Sequence, residues 1–300
     1  MLSRKLILIP LLMVAFACTK DQSKQAGDST KVINKKDTAK KVKLPPQKNY
    51  KRIVTIGKSI TQIVFELGVG NKVVAVDRRT SHDSLPQVGY GRVLRSKLVM
   101  KHEPDLVLSD IKGSPEEKMN NILAEGVDYV RYNNPPNIDS TKALVKKIAL
   151  RLNKKTAGEK IIQRLDSTLR LIPTMKKNRK DTVKVMYVLA RGTNILVAGH
   201  KTAGEAIIQL AIAKNAADVL AIEGMRRLTP VMMQQANPDY ILMSNKSWDS
   251  IGDKMFEMPV LFDSRARRMG RIIHLDEEAL LGFGLDAPQT AIELCKKLYQ

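Results

Sequence analysis

The residues best suited to chemistry lie in the hexapeptide Gln87-Val-Gly-Tyr-Gly-Arg92, where a phenol stands between two glycines. The flanking glycines predict a tight loop with little side-chain cover, so that Tyr90 projects into open space. A phenolate is a hard oxygen donor that suits ferric iron, and tyrosine is one of the side chains that ligate haem iron. A free phenol has a pKa of about 10, so ionisation needs a metal or a nearby cation. Arg92 is a candidate for that cation, or for a partner of a ligand carboxylate. The alternative is a surface turn whose tyrosine packs on its own loop.

The amino-terminal end has the features of an export signal. Arg4 and Lys5 precede an apolar run from Leu6 to Ala17, and these 12 residues are too few to cross a bilayer, which needs about 20. A basic start, a short apolar run and small residues together predict a signal peptide over residues 1–17. Cys18 follows at once, in a context similar to a bacterial lipoprotein cleavage site, so we expect it to carry a lipid. The second cysteine, Cys295, then lacks a partner, which argues against a disulfide framework.

Residues 18–50 are predicted to be a disordered tether between the lipid and the folded body. From Lys20 to Arg52 the chain has eleven Lys or Arg against three Asp, and it carries a formal charge of +21 overall. Such a polar stretch buries no core, and a solvated basic linker explains it. Nucleic-acid binding is the alternative on charge alone. The export signal, an aromatic content of 4% and the absence of a nucleic-acid-binding motif argue against it.

The remaining residues alternate between strand and helix patterns, which predicts an α/β fold with parallel sheets. An amino-terminal lobe is expected over 51–152 and a carboxyl-terminal lobe over 181–300. Apolar residues at helical spacing predict one long rigid helix, over 153–180, that joins the lobes. A Pro-Asp-strand pattern recurs in both halves, at Pro104 and Pro238. Two lobes joined in this way leave a cleft between them, and such clefts are favoured ligand sites.

Four stretches of the chain carry a family resemblance. They are Arg52–Gly57 with the helix after it, Gln87–Arg92, Val197–Thr202 and Ala279–Gln289. Together they resemble the haemin-binding periplasmic components of bacterial ABC importers, over about residues 50–300. The resemblance implies a periplasmic protein, anchored to a membrane through Cys18, that captures haem in an interlobe cleft. It would pass haem to the permease and ATPase of an importer. Which membrane holds the lipid stays open.

The resemblance also implies roles for individual residues. Tyr90 would be the iron ligand from the amino-terminal lobe. Arg92 would lie near the phenolate or a propionate, and Arg226 would be a cleft arginine from the other lobe. On chemistry alone, Arg227 and Arg191 are further candidates to meet a propionate. Met225 and Phe283 are candidates for the apolar wall of the cleft, and the alternative for each is a place in the core. Some relatives have a histidine near the position of Arg191, where it binds a second haem. Because a guanidinium has no lone pair to donate, we expect no axial ligand there and no two-haem stack.

The histidines are weaker candidates for a second axial ligand. His200, in the Ala-Gly-His-Lys loop, is the best of them, and His82 lies a few residues before the Tyr90 loop. His102 is expected at a surface helix end and His274 in a buried strand. No cluster of His, Cys and Asp has the spacing of a metal site, so bare-metal binding is not predicted.

Acidic residues are expected to dock the protein to its transporter. The resemblance implies one acid on each lobe, with Glu116 and Glu117 in the amino-terminal lobe. Pro230 and Val231 occupy the matching place in the other lobe, so Glu223 is the substitute candidate there. The alternative for these acids is stabilisation of helix starts by the helix dipole.

Two other classes of function are alternatives to haem capture. The same fold could bind an iron-siderophore or a corrinoid. An enzyme is not expected, because the chain has no Gly-x-Ser-x-Gly elbow, phosphate-binding loop or dinucleotide fingerprint. Gly282-Phe-Gly284 lacks the third glycine of that fingerprint.

Overall fold

A four-stranded parallel sheet, in the order β2-β1-β3-β4, forms the centre of the amino-terminal lobe. Its strands are β1 Ile53–Ile56, β2 Val73–Val76, β3 Leu106–Asp110 and β4 Asp128–Tyr132. The computed structural model describes residues 48–299 except for 81, 83, 118–119, 121, 123–125, 177–181 and 263. Every residue of β1 is buried, as expected for a parallel strand that is covered on both faces.

The carboxyl-terminal lobe contains a mixed sheet in the order β10-β9-β5-β6-β8, and a short strand, β7, also pairs with β5. The strands are β5 Lys184–Arg191, β6 Asn194–Ala198, β7 Lys214–Asn215, β8 Met225–Arg227, β9 Tyr240–Ser244 and β10 Ile272–Leu275. The predicted α/β fold is confirmed, and this second sheet is mixed rather than wholly parallel, because β5 turns directly into the antiparallel β6. The two-residue turn starts at Gly192, whose φ of 57° suits glycine, as tight hairpin turns require.

Helices cover both sheets and supply the connections. Those of the amino-terminal half are α1 Lys58–Val64, α2 Ser96–Met100, α3 Ile138–Arg151 and α4 Lys155–Leu169. Those of the other half are α5 Ala203–Leu210, α6 Pro230–Ala236, α7 Asn245–Ile251, α8 Pro259–Phe262, α9 Arg265–Arg268, α10 Glu277–Leu281 and α11 Ala287–Tyr299. Within the described part of the chain, none of the helices combines the length and the apolar character needed to cross a bilayer.

The predicted connecting helix is shorter than its predicted range of 153–180. Helix α4 ends at Leu169, and a 3₁₀ turn follows over Pro173–Lys176. Proline explains the stop, because its ring clashes with the carbonyl four residues earlier, which is that of Leu169. Ile161 belongs to the amino-terminal core, whereas Ile172, just beyond the helix, packs in the carboxyl-terminal core. The segment therefore links the two cores, while the predicted lobe boundaries stay a prediction.

Three predicted features lie outside the described residues or only partly inside them. The signal peptide over 1–17 and Cys18 are outside, and the tether over 18–50 is described only from residue 48. Glu116, Glu117, Asn120 and Ile122 are helical.

Candidate functional site

The carboxyl ends of three parallel strands meet at one edge of the first sheet. Gly57 follows β1, Asp77 follows β2, and Asp110 ends β3. Neighbouring parallel strands end at the same edge, and in open α/β sheets ligands bind just outside these carboxyl ends. A polar site at this edge is therefore built by the chain direction of the strands.

Asp77 is a fully buried carboxylate that fixes the loop after β2. One oxygen accepts hydrogen bonds from the Gly57 amide at 2.7 Å and the Thr80 hydroxyl at 2.8 Å. The other accepts the Arg79 amide at 2.8 Å. These hydrogen bonds hold the loop after β2 in place, so the side chains of Arg78 and Arg79 project from a rigid segment of backbone.

The Tyr90 ring is held by contacts on several sides. Gly89 and Gly91 have φ values of 94° and 58°, which only glycine adopts easily. The phenol lies 3.1 and 3.2 Å from the two carboxylate oxygens of Asp110 and donates a hydrogen bond there. A methyl group on Gly113 would lie 2.8 Å from the ring, so this glycine lets the ring pack closely. The ring is partly buried, so the loop and its neighbours give it more cover than the sequence predicted.

The cation beside the phenol is Arg79. Its Cζ lies 4.5 Å from the centroid of the Tyr90 ring, a cation–π arrangement. Arg92, the predicted neighbour, is exposed. Burial and the negative charge of Asp110 raise the pKa of Tyr90 well above its ordinary value, although Arg79 partly opposes them. Burial also raises the pKa of Asp110, against the hydrogen bonds from Gly113 and Tyr90. Without a ligand, Tyr90 is therefore a neutral phenol.

Tyr90 faces a cavity of about 500 Å³ that both lobes line. The amino-terminal lobe gives it the cations Arg78, Arg79 and Lys112, and the carboxyl-terminal lobe adds Lys246. Apolar and polar side chains complete the wall: Ile60, Leu144, Leu281, Phe283, Asn133, Asn134, Glu277 and Glu278. A cavity with a phenol, several cations and an apolar wall suits a flat apolar ligand that bears acidic groups.

The lobes touch beside this cavity through α1 and the segment between α10 and α11. The Ser59 hydroxyl donates to the Phe283 carbonyl at 2.9 Å. Lys58 Nζ lies 2.9 Å from Asp286 Oδ2 and 3.9 Å from Glu278 Oε2. These contacts place Phe283, which is 6% exposed, at the junction of the lobes.

A family model described as "Periplasmic binding protein" matches residues 53–279 of the chain. The chain belongs to the periplasmic binding protein family. Proteins of this family bind ligands for transport, and membership of the family implies a periplasmic location.

Solved structures of this family resemble the chain over most of its length. The periplasmic heme-binding protein RhuT from Roseiflexus sp. RS-1 is 31% identical, with a TM-score of 0.78, over 83% of this chain and 98% of RhuT. BhuT, a periplasmic heme-binding protein in complex with two hemes, is 27% identical, with a TM-score of 0.76, over 84% of this chain and 98% of BhuT. The periplasmic heme-binding protein HutB of Vibrio cholerae is 25% identical, with a TM-score of 0.75, over 83% of this chain and 99% of HutB.

Curated relatives with another ligand match a shorter stretch. The vitamin B12-binding protein of Vibrio campbellii is 22% identical over 158 residues, which are 51% of this chain. The chain spans 57% of the length of that relative, and 38% of the similar protein from Yersinia pestis.

The predicted cleft residues of this binding protein lie in different places. Tyr90 and Phe283 both line the cavity. Arg191 Nη2 lies 2.6 Å from Oε1 of Glu277, so this arginine contacts a residue of the cavity wall. Met225 is partly buried against the carboxyl-terminal core. Arg226 and Arg227 follow it on β8 and are exposed, and Arg227 borders a separate groove.

The histidines lie in four different environments. His200 is held by Glu205, whose Oε1 lies 2.7 Å from Nδ1, and this hydrogen bond raises the pKa of His200. His82 stacks on a phenylalanine with ring centroids 4.3 Å apart. The carbonyl of His102 accepts a hydrogen bond from Arg52. Burial lowers the pKa of His274.

The predicted docking acids lie on the surface of both lobes. Glu116 and Glu117 are exposed. Glu223 is also exposed and forms an ion pair with Lys201 at 3.0 Å. Their role in docking stays a prediction.

Sequence reasoning missed the residues that surround the phenol. Arg79 and Asp110 are 11 and 20 positions from Tyr90 in the chain, so local spacing did not connect them. The available signal was the alternation of strands and helices, because Asp77 and Asp110 each stand at the carboxyl end of a parallel strand.

Proposed function

We propose that this periplasmic binding protein captures haem between its lobes and delivers it to an ABC importer. The observation that carries the proposal is the position of Tyr90, a phenol in a cavity between two lobes, beside Arg79 and with an apolar wall. The likeness to three heme-binding proteins along at least 98% of their lengths supports it. Haem is the cargo here, and the protein binds it without converting it.

Capture begins when the Tyr90 oxygen bonds to ferric iron. The phenol O–H bond breaks, its proton passes to solvent, and the hydrogen bond to Asp110 is lost. The phenolate then lies near a carboxylate, and Arg79 offsets the added negative charge. The apolar face of the porphyrin covers Ile60, Leu281 and Phe283, and burial at about 25 cal/mol per Å² provides much of the affinity.

The propionates of haem pair with cations at the edge of the cavity. Arg78, Lys112 and Lys246 line the cavity and are exposed enough to reach a carboxylate. Arg191, Arg226 and Arg227, first predicted for this role, stay candidates, whereas we expect only a small contribution from Arg92, which is exposed and not among the described residues that line the cavity. His200, the predicted candidate for a second axial ligand, is not among the described residues that line this cavity, and its Nδ1 contacts Glu205.

A haemin titration of the wild type and Tyr90→Phe tests the iron ligand. We expect the wild type to develop a haem absorption band that saturates, and the variant to lose the tyrosinate-type spectrum and to bind more weakly. Tyr240→Phe is the matched control, because an arginine also lies over that ring, at 5.4 Å, and the ring is outside the cavity. Equal binding by Tyr90→Phe and wild type would refute the assignment.

A corrinoid is the second candidate ligand, and the vitamin B12-binding relatives favour it. An iron-siderophore is a further alternative for the same fold. Parallel titrations with haemin, cyanocobalamin and a ferric siderophore distinguish them. Haem capture requires that haemin bind most tightly and that Tyr90→Phe affect haemin alone.

The membrane anchor and the transporter contacts complete the proposal. Cys18 carries a lipid that keeps the protein at a membrane, and mass spectrometry of the purified protein tests this against Cys18→Ser. Glu116 and Glu117 on one lobe and Glu223 on the other dock to the permease, which acts with its ATPase. Haem uptake by cells that carry charge-reversed variants tests these acids.

A further inference from the structure

Three potential metal ligands converge on the carboxyl-terminal lobe, outside the residues that line the haem cavity. They are Nδ1 of His200, one carboxylate oxygen of Glu205 and one of Asp218, all within 4.8 Å of one another. Nδ1 lies 2.7 Å from Glu205 Oε1 and 3.9 Å from Asp218 Oδ1. We propose that these three residues bind a divalent transition-metal ion of the zinc class, at a site separate from the haem cavity.

Two of the ligands stand on backbone that is fixed before any ion arrives. The His200 amide donates to the Ile222 carbonyl at 2.8 Å, and the His200 carbonyl accepts the Gly224 amide at 2.8 Å. Asp218 lies in the 3₁₀ turn Ala216–Leu220, whose start is capped by the side chain of Asn215. Rigid supports of this kind reduce the cost of bringing ligands together.

Glu205, the third ligand, is oriented by hydrogen bonds that leave one oxygen available. Its side chain is 10% exposed, and Oε2 accepts the Lys201 amide at 2.7 Å. Its own amide donates to the Thr202 hydroxyl at 3.1 Å, so Thr202 caps the start of α5. Oε1 faces His200 and also accepts a 3.3 Å hydrogen bond from Gln209. In metal sites, a ligating carboxylate is commonly oriented by a hydrogen bond to its other oxygen, as the Lys201 amide provides here.

The carboxylates of Glu205 and Asp218 carry more negative charge than the single imidazole of His200 can neutralise. Two carboxylates approach a single ring nitrogen, which carries at most one proton. Glu223, a third carboxylate nearby, is paired with Lys201. A divalent cation between the ligands replaces one shared proton with two positive charges, which explains why this grouping favours a metal.

The distances and the exposure fit zinc. Zn–N and Zn–O bonds of about 2.0–2.2 Å place tetrahedral ligands about 3.4 Å apart, and the observed 2.7 and 3.9 Å lie on either side of that value. Small rotations of the side chains complete the geometry. His200 and Asp218 are 46% and 43% exposed, which leaves room for water at a fourth position. One imidazole with two carboxylates suits Zn²⁺ better than it suits softer ions.

Calorimetric titration of the full chain with Zn²⁺ alone tests the proposal. We expect one ion per chain, and at least about tenfold weaker binding in each of His200→Gln and Asp218→Asn, in line with the loss of one ligand. Glu223→Gln is the matched control, because it removes a nearby carboxylate that is not a ligand. The same pattern is expected with Co²⁺, whose visible absorption reports nitrogen and oxygen ligation.

Two outcomes would overturn the site. One is a wild type without saturable binding below about 100 µM Zn²⁺, an affinity of about 5.5 kcal/mol or less. The other is equal binding by the wild type and both ligand variants while circular dichroism shows that all are folded. Haemin binding is measured in parallel, since its failure would concern Tyr90 and leave the zinc result unaffected.

Discussion

Replacing Arg79 with glutamine tests whether this arginine supplies the positive charge beside the iron ligand. Its Cζ lies 4.5 Å from the centroid of the Tyr90 ring, and its amide is fixed by Asp77 at 2.8 Å. Glutamine keeps that backbone bond and removes the charge. Ligation of iron turns the phenol into a phenolate beside Asp110, which lies 3.1 Å away. We therefore expect Arg79→Gln to weaken haemin binding while the loop keeps its shape.

The size of the effect follows from the distance. The positive charge of the guanidinium and the negative charge that the phenolate spreads over its ring, with Cζ 4.5 Å from the ring centroid, interact with about 0.9 kcal/mol in bulk water and about 3.7 kcal/mol at an effective dielectric constant of about 20. Arg79 is exposed and Tyr90 is partly buried, so an intermediate value of about 2 kcal/mol applies. That energy corresponds to haemin binding that is weaker by roughly 30-fold.

The assay is an equilibrium haemin titration followed by absorption, with Arg92→Gln as the matched control. Arg92 is the arginine that the local sequence predicts, and its side chain is exposed. We expect Arg92→Gln to bind within about threefold of the wild type, a difference below about 0.7 kcal/mol. The reverse result, with a large loss in Arg92→Gln and none in Arg79→Gln, would refute the role drawn from the geometry.

Gly113→Ala is expected to destabilise the fold by about 1–3 kcal/mol in urea denaturation and to weaken haemin binding, because its methyl would lie 2.8 Å from the Tyr90 ring. Wild-type stability in this variant would contradict the packing argument. Tyr50→Phe removes a 2.6 Å hydrogen bond to Asp128, at a cost of about 1 kcal/mol. This hydrogen bond is the main cause that lowers the pKa of Asp128. The stability that this hydrogen bond provides is therefore fully present above about pH 4. It is lost as the pH falls through the lowered pKa of Asp128. An unchanged difference between the two proteins in acid would contradict this. Haemin is expected to saturate at one per chain, since Arg191 cannot ligate iron, and saturation at two would contradict it.

Much of the fold could be predicted from the sequence because the parallel strands are buried on both faces. Such strands appear as short apolar runs between turn residues, as in β2, Val73–Val76. The β5–β6 hairpin was missed, although Gly192 and Thr193 between two apolar runs are a hairpin signal. A long buried strand such as β5 does not reveal from its own sequence whether its neighbours are parallel or antiparallel.

The candidate site was only partly predictable, because its members come from separate loops. Tyr90 could be found from the glycines around it, whereas Asp110 and Arg79 reach it through the sheet topology. The absence of metal-like spacing in the sequence likewise hid the grouping of His200 with Glu205 and Asp218, which a loop and a helix start bring together. Local sequence thus identifies a reactive group, and tertiary structure decides its neighbours.

The contact between the lobes connects capture to the movement of one lobe relative to the other. The side chain of Phe283 packs in the carboxyl-terminal core, while its carbonyl accepts a hydrogen bond from Ser59 on α1. Lys58, the residue before Ser59, pairs with Asp286 at 2.9 Å. A change in the angle between the lobes must therefore break these bonds or move the segment that carries Phe283. Because the same segment forms part of the cavity wall, the shape of the cavity depends on the angle between the lobes.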